Sequence, residues 1–266
     1  MDKSVVANIP KADLHRHAET YAHLDRLIAA RNDQPPYDWH EWIKGLAELP
    51  PGMARLERLN GDLNTTELNT RAVGYVHFVE WLTTMFEQAA SEGAVLVEVR
   101  FEVGAGLGPD HMSLFREAER RVQKQYPSFY AEAIAVIRLS TANGPEAFET
   151  IRRSRDQGLA GIDFVPNPFD SEADWTEVSV WAERAAAAGL GITAHAREFS
   201  TANIVAALRL PGIKRIGHGV YGAATDELLK RVADSGVTIE CCLTSNVVLG
   251  AVSSLDEHPI RSFIQA

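Results

Sequence analysis

Lys11-Ala12-Asp13-Leu14-His15-Arg16-His17 closes the first apolar run of the chain with two histidines one residue apart. On an extended strand successive side chains alternate faces, so His15 and His17 point the same way, close enough to share one ion. Two later segments, Gly191-Ile192-Thr193-Ala194-His195 and Ile213-Lys214-Arg215-Ile216-Gly217-His218, each read as a short apolar strand that also ends in histidine. Histidines at several strand ends suit a (β/α)8 barrel, which gathers the C-termini of its strands at one mouth.

Outward from these strands the pattern alternates regularly. Ala94 to Phe101 is a strand before a helix near 111–125, Tyr130 to Ile137 precedes a helix near 144–157, and Leu159 to Phe164 precedes one near 172–188. Leu190 to His195 leads to a helix near 200–209, Ile213 to His218 to one near 224–235, and Val237 to Cys241 to a loop and a short closing helix. Strands alternating with helices of this length make parallel βαβ units. Before residue 90 the loop chemistry of Asn32-Asp33-Gln34-Pro35-Pro36 and Leu49-Pro50-Pro51-Gly52 flanks helical apolar spacing at Phe78, Val79, Leu82, Met85 and Phe86. This reads as an all-helical insertion over about 20–90, placed as a lid over the mouth. The expected fold is an α/β, TIM-type barrel in one domain over 1–266, with seven barrel strands evident and the C-terminal strand and helix missing.

The 266 residues suit one such barrel, whose typical length is roughly 250. A net charge of −10 weighs against a nucleic-acid backbone or an anionic membrane as partner and favours a small-molecule ligand. The only cysteines, Cys241 and Cys242, are adjacent and build no disulfide framework; there is no signal-like N-terminal run and no apolar stretch that spans a bilayer. A cytoplasmic protein is expected, and a homo-oligomer stays open.

Glu198 follows His195 by three residues, which places a carboxyl group at the mouth. There it serves as proton donor or acceptor to a ligand, or it decorates the first turn of the following helix. Neutral imidazoles on a divalent ion suit zinc best, and bound Zn2+ brings a water's pKa from 15.7 to about 7. The implied reaction is metal-assisted hydrolysis. Asp163, at the end of the fourth strand, hydrogen-bonds within the mouth or holds a neighbouring strand, while Ser245 and Asn246 sit behind the site. His23, His40, His77, His111 and His258 have no partner at metal spacing and read as surface or helix histidines.

Pro10 to His17, Val97-Glu98-Val99-Arg100, Gly161-Ile162-Asp163, His195-Ala196-Arg197-Glu198, Arg215-Ile216-Gly217-His218-Gly219 and Glu240 to Asn246 resemble, in order and spacing, the successive signatures of adenosine deaminases. The resemblance covers nearly the whole chain. It implies one zinc ion held by His15, His17 and His195, with Glu198 protonating a purine ring nitrogen and His218 orienting or deprotonating the attacking water. Hydroxide would add to the amino-bearing carbon of a purine nucleoside or related aminopurine, and ammonia would leave.

Four positions depart from that family's pattern. The family completes its zinc site with an aspartate of the eighth strand, next to one that contacts the purine; Ala266 precedes that strand, and Asp256 lies in the loop upstream of it. The family's ribose-facing aspartate is Glu19 here, followed by Thr20 in place of glycine. Pro166 follows Asp163 where the family offers a glycine N–H, and proline has none to give. Arg197 replaces a small residue and could meet an acidic substrate group. Glu19, Asp163 and Arg197 are therefore the substrate-binding candidates. Two other readings stay open: a truncated or non-catalytic zinc-binding homologue, and a metal-dependent hydrolase of a different bond.

Overall fold

Val97, Val99 and Phe101 alternate with Glu98 and Arg100 along one strand, and this two-residue period sorts the sheet into an apolar outer face and a polar inner one. The computed structural model describes residues 9–18, 38–65, 70–102, 111–139, 144–167, 170–196 and 198–266. Its strands are β1 (Lys11–His17), β2 (Ala94–Glu102), β3 (Tyr130–Arg138), β4 (Leu159–Val165), β5 (Gly191–Ala196), β6 (Ile213–His218) and β7 (Thr238–Glu240). All neighbours are parallel and stand in chain order, β1 beside β2 through to β7. The sheet curls into a nearly closed TIM-type barrel of seven strands, the number read from the sequence. Among the described residues β1 and β7 are the outer strands, and a cavity of about 910 Å3 lies between them, lined by both and reaching His15, His17 and His218.

Between β1 and β2 the described chain forms α1 (Trp39–Ala47), α2 (Met53–Thr65) and α3 (Thr70–Ser91). Asp38 starts α1 by accepting from the N–H groups of His40 and Glu41, which would otherwise lack partners. Later crossovers are α4 (His111–Gln123), α5 (Gly144–Arg155), α6 (Thr176–Ala187), α7 (Ile204–Ala207) and α8 (Asp226–Ser235); α9 (Leu243–Val248) and α10 (Ile260–Gln265) follow β7. The apolar layer between sheet and helices is dense with aromatic rings. Phe86 of α3 meets Phe115 of α4 and Phe129 with centroids 5.4 Å apart in both pairs, and Phe101 of β2 faces Phe115 at 6.3 Å. None of the described helices is long and apolar enough to cross a membrane.

The helical insertion reaches the mouth through Arg55 of α2, whose guanidinium donates to the carbonyls of Leu49 and Ala47 and, across the barrel end, to Val248 of α9. Gly52 N–H adds a bond to the Leu249 carbonyl at 2.8 Å. The helix expected over 200–209 shortens to the single turn α7. Asn203 adopts the left-handed conformation (φ 68°), and its side chain accepts from Ala173 N–H and Trp175 Nε1–H and donates to the Ser171 carbonyl. A residue committed to that clamp leaves the helical conformation, so the helix begins only after it.

Gly161 of β4 pairs with Gly191 of β5, and a Cβ at 161 would meet the Gly191 carbonyl oxygen at 2.7 Å. That neighbour is backbone and does not move aside. At 191 a Cβ would meet only the Ala160 carbonyl oxygen, at 3.5 Å, an ordinary contact. Gly161→Ala is expected to destabilise the protein by about 1–3 kcal/mol in denaturant titrations, with Gly191→Ala losing clearly less.

Candidate active site

Parallel strands all deliver their C-terminal residues to one end of the barrel, and there the histidines converge. His17 Nε2 lies 3.1 Å from His195 Nε2, and His15 Nε2 lies 3.2 Å from the same atom. A ring nitrogen of His218 stands within 4.8 Å of ring nitrogens of both His15 and His195. Three imidazoles contributed by β1 and β5 thus point their Nε2 atoms at one another, with His218 of β6 beside them. Burial, reinforced by the Arg100 charge and by the neighbouring rings, holds His15, His17 and His218 neutral, well below the usual histidine range.

What holds the rings is a set of carboxylates strung on one guanidinium. Arg100 of β2 is fully buried inside the barrel; Nε donates to Asp163 Oδ2 at 2.6 Å, Nη2 to Glu240 Oε2 at 2.5 Å and Nη1 to the Leu14 carbonyl at 2.6 Å. Its protons are permanent, so the oxygens facing it accept. Glu240 Oε2 also lies 2.7 Å from His15 Nδ1, and Asp163 Oδ1 lies 3.0 Å from His195 Nδ1. In both rings Nδ1 therefore carries the proton, leaving Nε2 with its lone pair. Two such lone pairs at 3.2 Å repel unless a cation lies between them. Two nitrogen ligands on a tetrahedral zinc at bond lengths of about 2.0–2.1 Å sit roughly 3.3 Å apart, so the donor set fits that ion.

Two buried acids, Asp163 of β4 and Glu198 in the mouth loop after β5, respond oppositely to their surroundings. Burial pushes the Asp163 carboxyl up, but His195 and Arg100 outweigh it and hold it well below the usual carboxylate range. Glu198 has no such partner among the described residues, and burial raises it to about 8. Its Oε1 has no hydrogen bond among the described residues and lies 3.4 Å from His218 Nδ1. Burial thus favours the protonated form of Glu198 beside the histidine cluster. His218 takes φ 62°, a conformation rare outside glycine and a common mark of a working site.

The structure accordingly brings together His15, His17, His195, Glu198 and His218. Asp163, a candidate for substrate binding or for holding a neighbour, is fully buried with its carboxylate against Arg100 and the His195 ring. Glu19 and Arg197 lie outside the described residues. Sequence reasoning quoted Arg100, Gly217 and Glu240 within strand signatures without assigning them a role. The signal for the first was an arginine on the inward period of an apolar strand. His258, read as a surface or helix histidine, is buried against Asn246. Its sequence distance from the other histidines concealed that.

A family model described as Adenosine deaminase matches residues 76–266, from within α3 through β7 and beyond. The chain belongs to the adenosine deaminase family. It is an adenosine deaminase-like aminohydrolase, about a quarter identical to the two curated relatives below over the aligned residues. A probable adenosine deaminase of Dictyostelium discoideum is 26% identical over 279 residues, covering 98% of this chain and 35% of that protein. The chain therefore spans about a third of the length of that relative. An adenosine deaminase of Vibrio vulnificus is 26% identical over 268 residues, covering 96% of this chain and 79% of the relative. Among solved structures, an amidohydrolase from Burkholderia ambifaria with bound Zn superposes with a TM-score of 0.74 at 20% identity, over 99% of this chain and 74% of its own. That likeness speaks for the barrel.

Within this family member Gly217 sets the room for the first ring, since a Cβ there would meet His15 Cε1 at 2.6 Å and Nδ1 at 3.3 Å. Gly217→Ala should leave the barrel folded while displacing His15. Zinc titration monitored by a competing chelator is expected to show roughly 10–100-fold weaker binding, the usual effect of disturbing a ligand's support.

Proposed function

We propose that this chain is a zinc-dependent hydrolytic deaminase that releases ammonia from a purine nucleoside or a related aminopurine. The observation that carries the reading is the pairing of converging imidazole lone pairs with a buried, neutral Glu198 beside them. His15, His17 and His195 would hold the ion. Zinc, when bound, supplies a nucleophilic water at neutral pH.

The chain's own residues account for the remaining requirements. Glu198 retains its proton near neutrality, so its carboxyl group can protonate a purine ring nitrogen as the water oxygen adds to the amino-bearing carbon. Of the two protons the water gives up, one goes to the amino group, which leaves as ammonia when its bond to the carbon breaks, and the other restores the Glu198 carboxyl group. His218 orients the attacking water from the other side of the cluster. Glu19 and Arg197 are the proposed contacts to the rest of the substrate. Water-excluding walls come from the burial that surrounds Glu198 and His218.

Glu198 is active as an acid, so deamination is expected to fall as pH rises through about 8, where burial has placed its pKa. The same shift has a stability consequence. The folded chain retains a proton that the unfolded chain releases above its ordinary pKa near 4.5, so the folded state loses stability from there up to about pH 8. Glu198→Gln removes that penalty. It is expected to lower kcat by roughly 10²–10⁴ with zinc retained, while raising Tm at pH 8 and leaving it little changed below pH 4.5. Ammonia release from adenosine, adenine and AMP, with thermal melts at both pH values, checks each part. A variant with undiminished turnover would return Glu198 to a helix-decorating role, and release of ammonia from none of the three purines would favour hydrolysis of a different bond.

A further inference from the structure

His218 differs from its neighbours in what stands behind it. His15 and His195 have carboxylate oxygens at Nδ1, whereas His218 Nδ1 lies 3.0 Å from the amide nitrogen of Asn246. Asn246 is fully buried on α9, and its other end, Oδ1, lies 3.2 Å from His258 Nε2. His258 Nδ1 in turn accepts from the backbone N–H of Ile260 at 3.2 Å.

A backbone N–H only donates, and that fixes the sense of the whole run. With Nδ1 accepting, the neutral His258 ring carries its proton at Nε2 and gives it to Asn246 Oδ1. The amide is thereby turned with its NH2 toward His218, whose Nδ1 must accept. Nε2 then carries the His218 proton. Glu198 Oε1, 3.4 Å from the same Nδ1, is a protonated carboxyl group and does not draw a proton onto that nitrogen.

We propose that His258, acting through Asn246, is a positioning residue that sets the tautomer of His218 and so keeps it out of the metal's ligand set. A ligand nitrogen needs a free lone pair. In His218 one nitrogen spends its pair on Asn246 and the other bears hydrogen, the reverse of the arrangement in His15 and His195. The ring consequently acts as an N–H donor and orients water instead of deprotonating it. This rests on the deaminase reading for its consequence, but the tautomer itself is measurable without substrate.

The test is long-range proton–nitrogen NMR on histidine-labelled protein, metal-free and zinc-loaded, with the variants His258→Phe, His258→Gln and Asn246→Asp. Wild type is expected to show His218 unprotonated at Nδ1 and protonated at Nε2 in both states. His258→Phe leaves Asn246 Oδ1 without a donor, so the amide can turn over and part of the His218 proton should move to Nδ1. Glutamine at 258 still offers an amide N–H and should restore the wild-type pattern. In Asn246→Asp the side chain accepts at both ends, and the proton should move to Nδ1 completely; this isosteric change decides the matter if the phenylalanine variant does not fold. For His258→Phe, kcat should fall roughly 10–100-fold with KM retained. A wild-type His218 protonated at Nδ1 would overturn the proposal, as would wild-type tautomers persisting in both His258→Phe and Asn246→Asp. Failure to release ammonia from any purine, with the tautomers as expected, would instead count against the deaminase reading alone.

Discussion

The buried guanidinium of Arg100 is the constraint on which the site depends. It crosses the inside of the barrel from β2 to Asp163 on β4 and Glu240 on β7, and those two acids hold the rings of His195 and His15. One permanent cation thus determines that both carboxylates accept, that both Nδ1 atoms donate and that both Nε2 lone pairs face inward. Removing one member of such a buried set typically costs about 3–5 kcal/mol, because the partners remain as uncompensated charges. The network reaches further through Arg215, which contacts Glu240 Oε1 at 3.0 Å and Glu98 Oε2 at 2.5 Å, so β2, β4, β6 and β7 are joined across the interior.

Within this network burial still lifts Glu240 to about 7, although Arg100 and Arg215 oppose it, and Glu198 differs in having no cation beside it among the described residues. Asp163 and Glu198 are equally dry, yet one is pushed far down and the other up to about 8. The difference is the presence of Arg100 and His195 at one and no cation among the described residues at the other. A buried acid with no cation beside it among the described residues and a histidine at φ 62° are both unfavourable for folding, and both lie at the same place. Such local costs cluster at functional sites, in keeping with the roles proposed for Glu198 and His218.

Strand register supplies the rest of the geometry. His195 of β5 pairs with Gly217 of β6, which pairs with Glu240 of β7, so histidine, spacer and supporting acid lie in one row across the sheet. The glycine in the middle is the only side-chain-free position of the row, and the His15 ring fills the space it leaves. Arg55 then draws the α1–α2 pair onto α9, bringing the helical insertion against the same end of the barrel.

The barrel and its histidines were legible in the sequence because both follow from short-range rules. Strand alternation puts His15 and His17 on one face, and repeated strand–helix order puts every strand end at one mouth. Glu198 was legible for the same reason, three residues beyond a strand-ending histidine. The roles of Arg100, Glu240, Gly217 and His258 were not, since each depends on partners between 12 and 225 residues away that only the closed sheet brings into contact. Asp163 shows the limit most clearly: its position at a strand end was evident, but whether it faces a ligand or an arginine is decided by which side chain fills the barrel beside it. Residue type and period determined which groups could do chemistry here; tertiary packing decided their tautomers, their charges and so their tasks, because those depend on the nearest donor and on the exclusion of water.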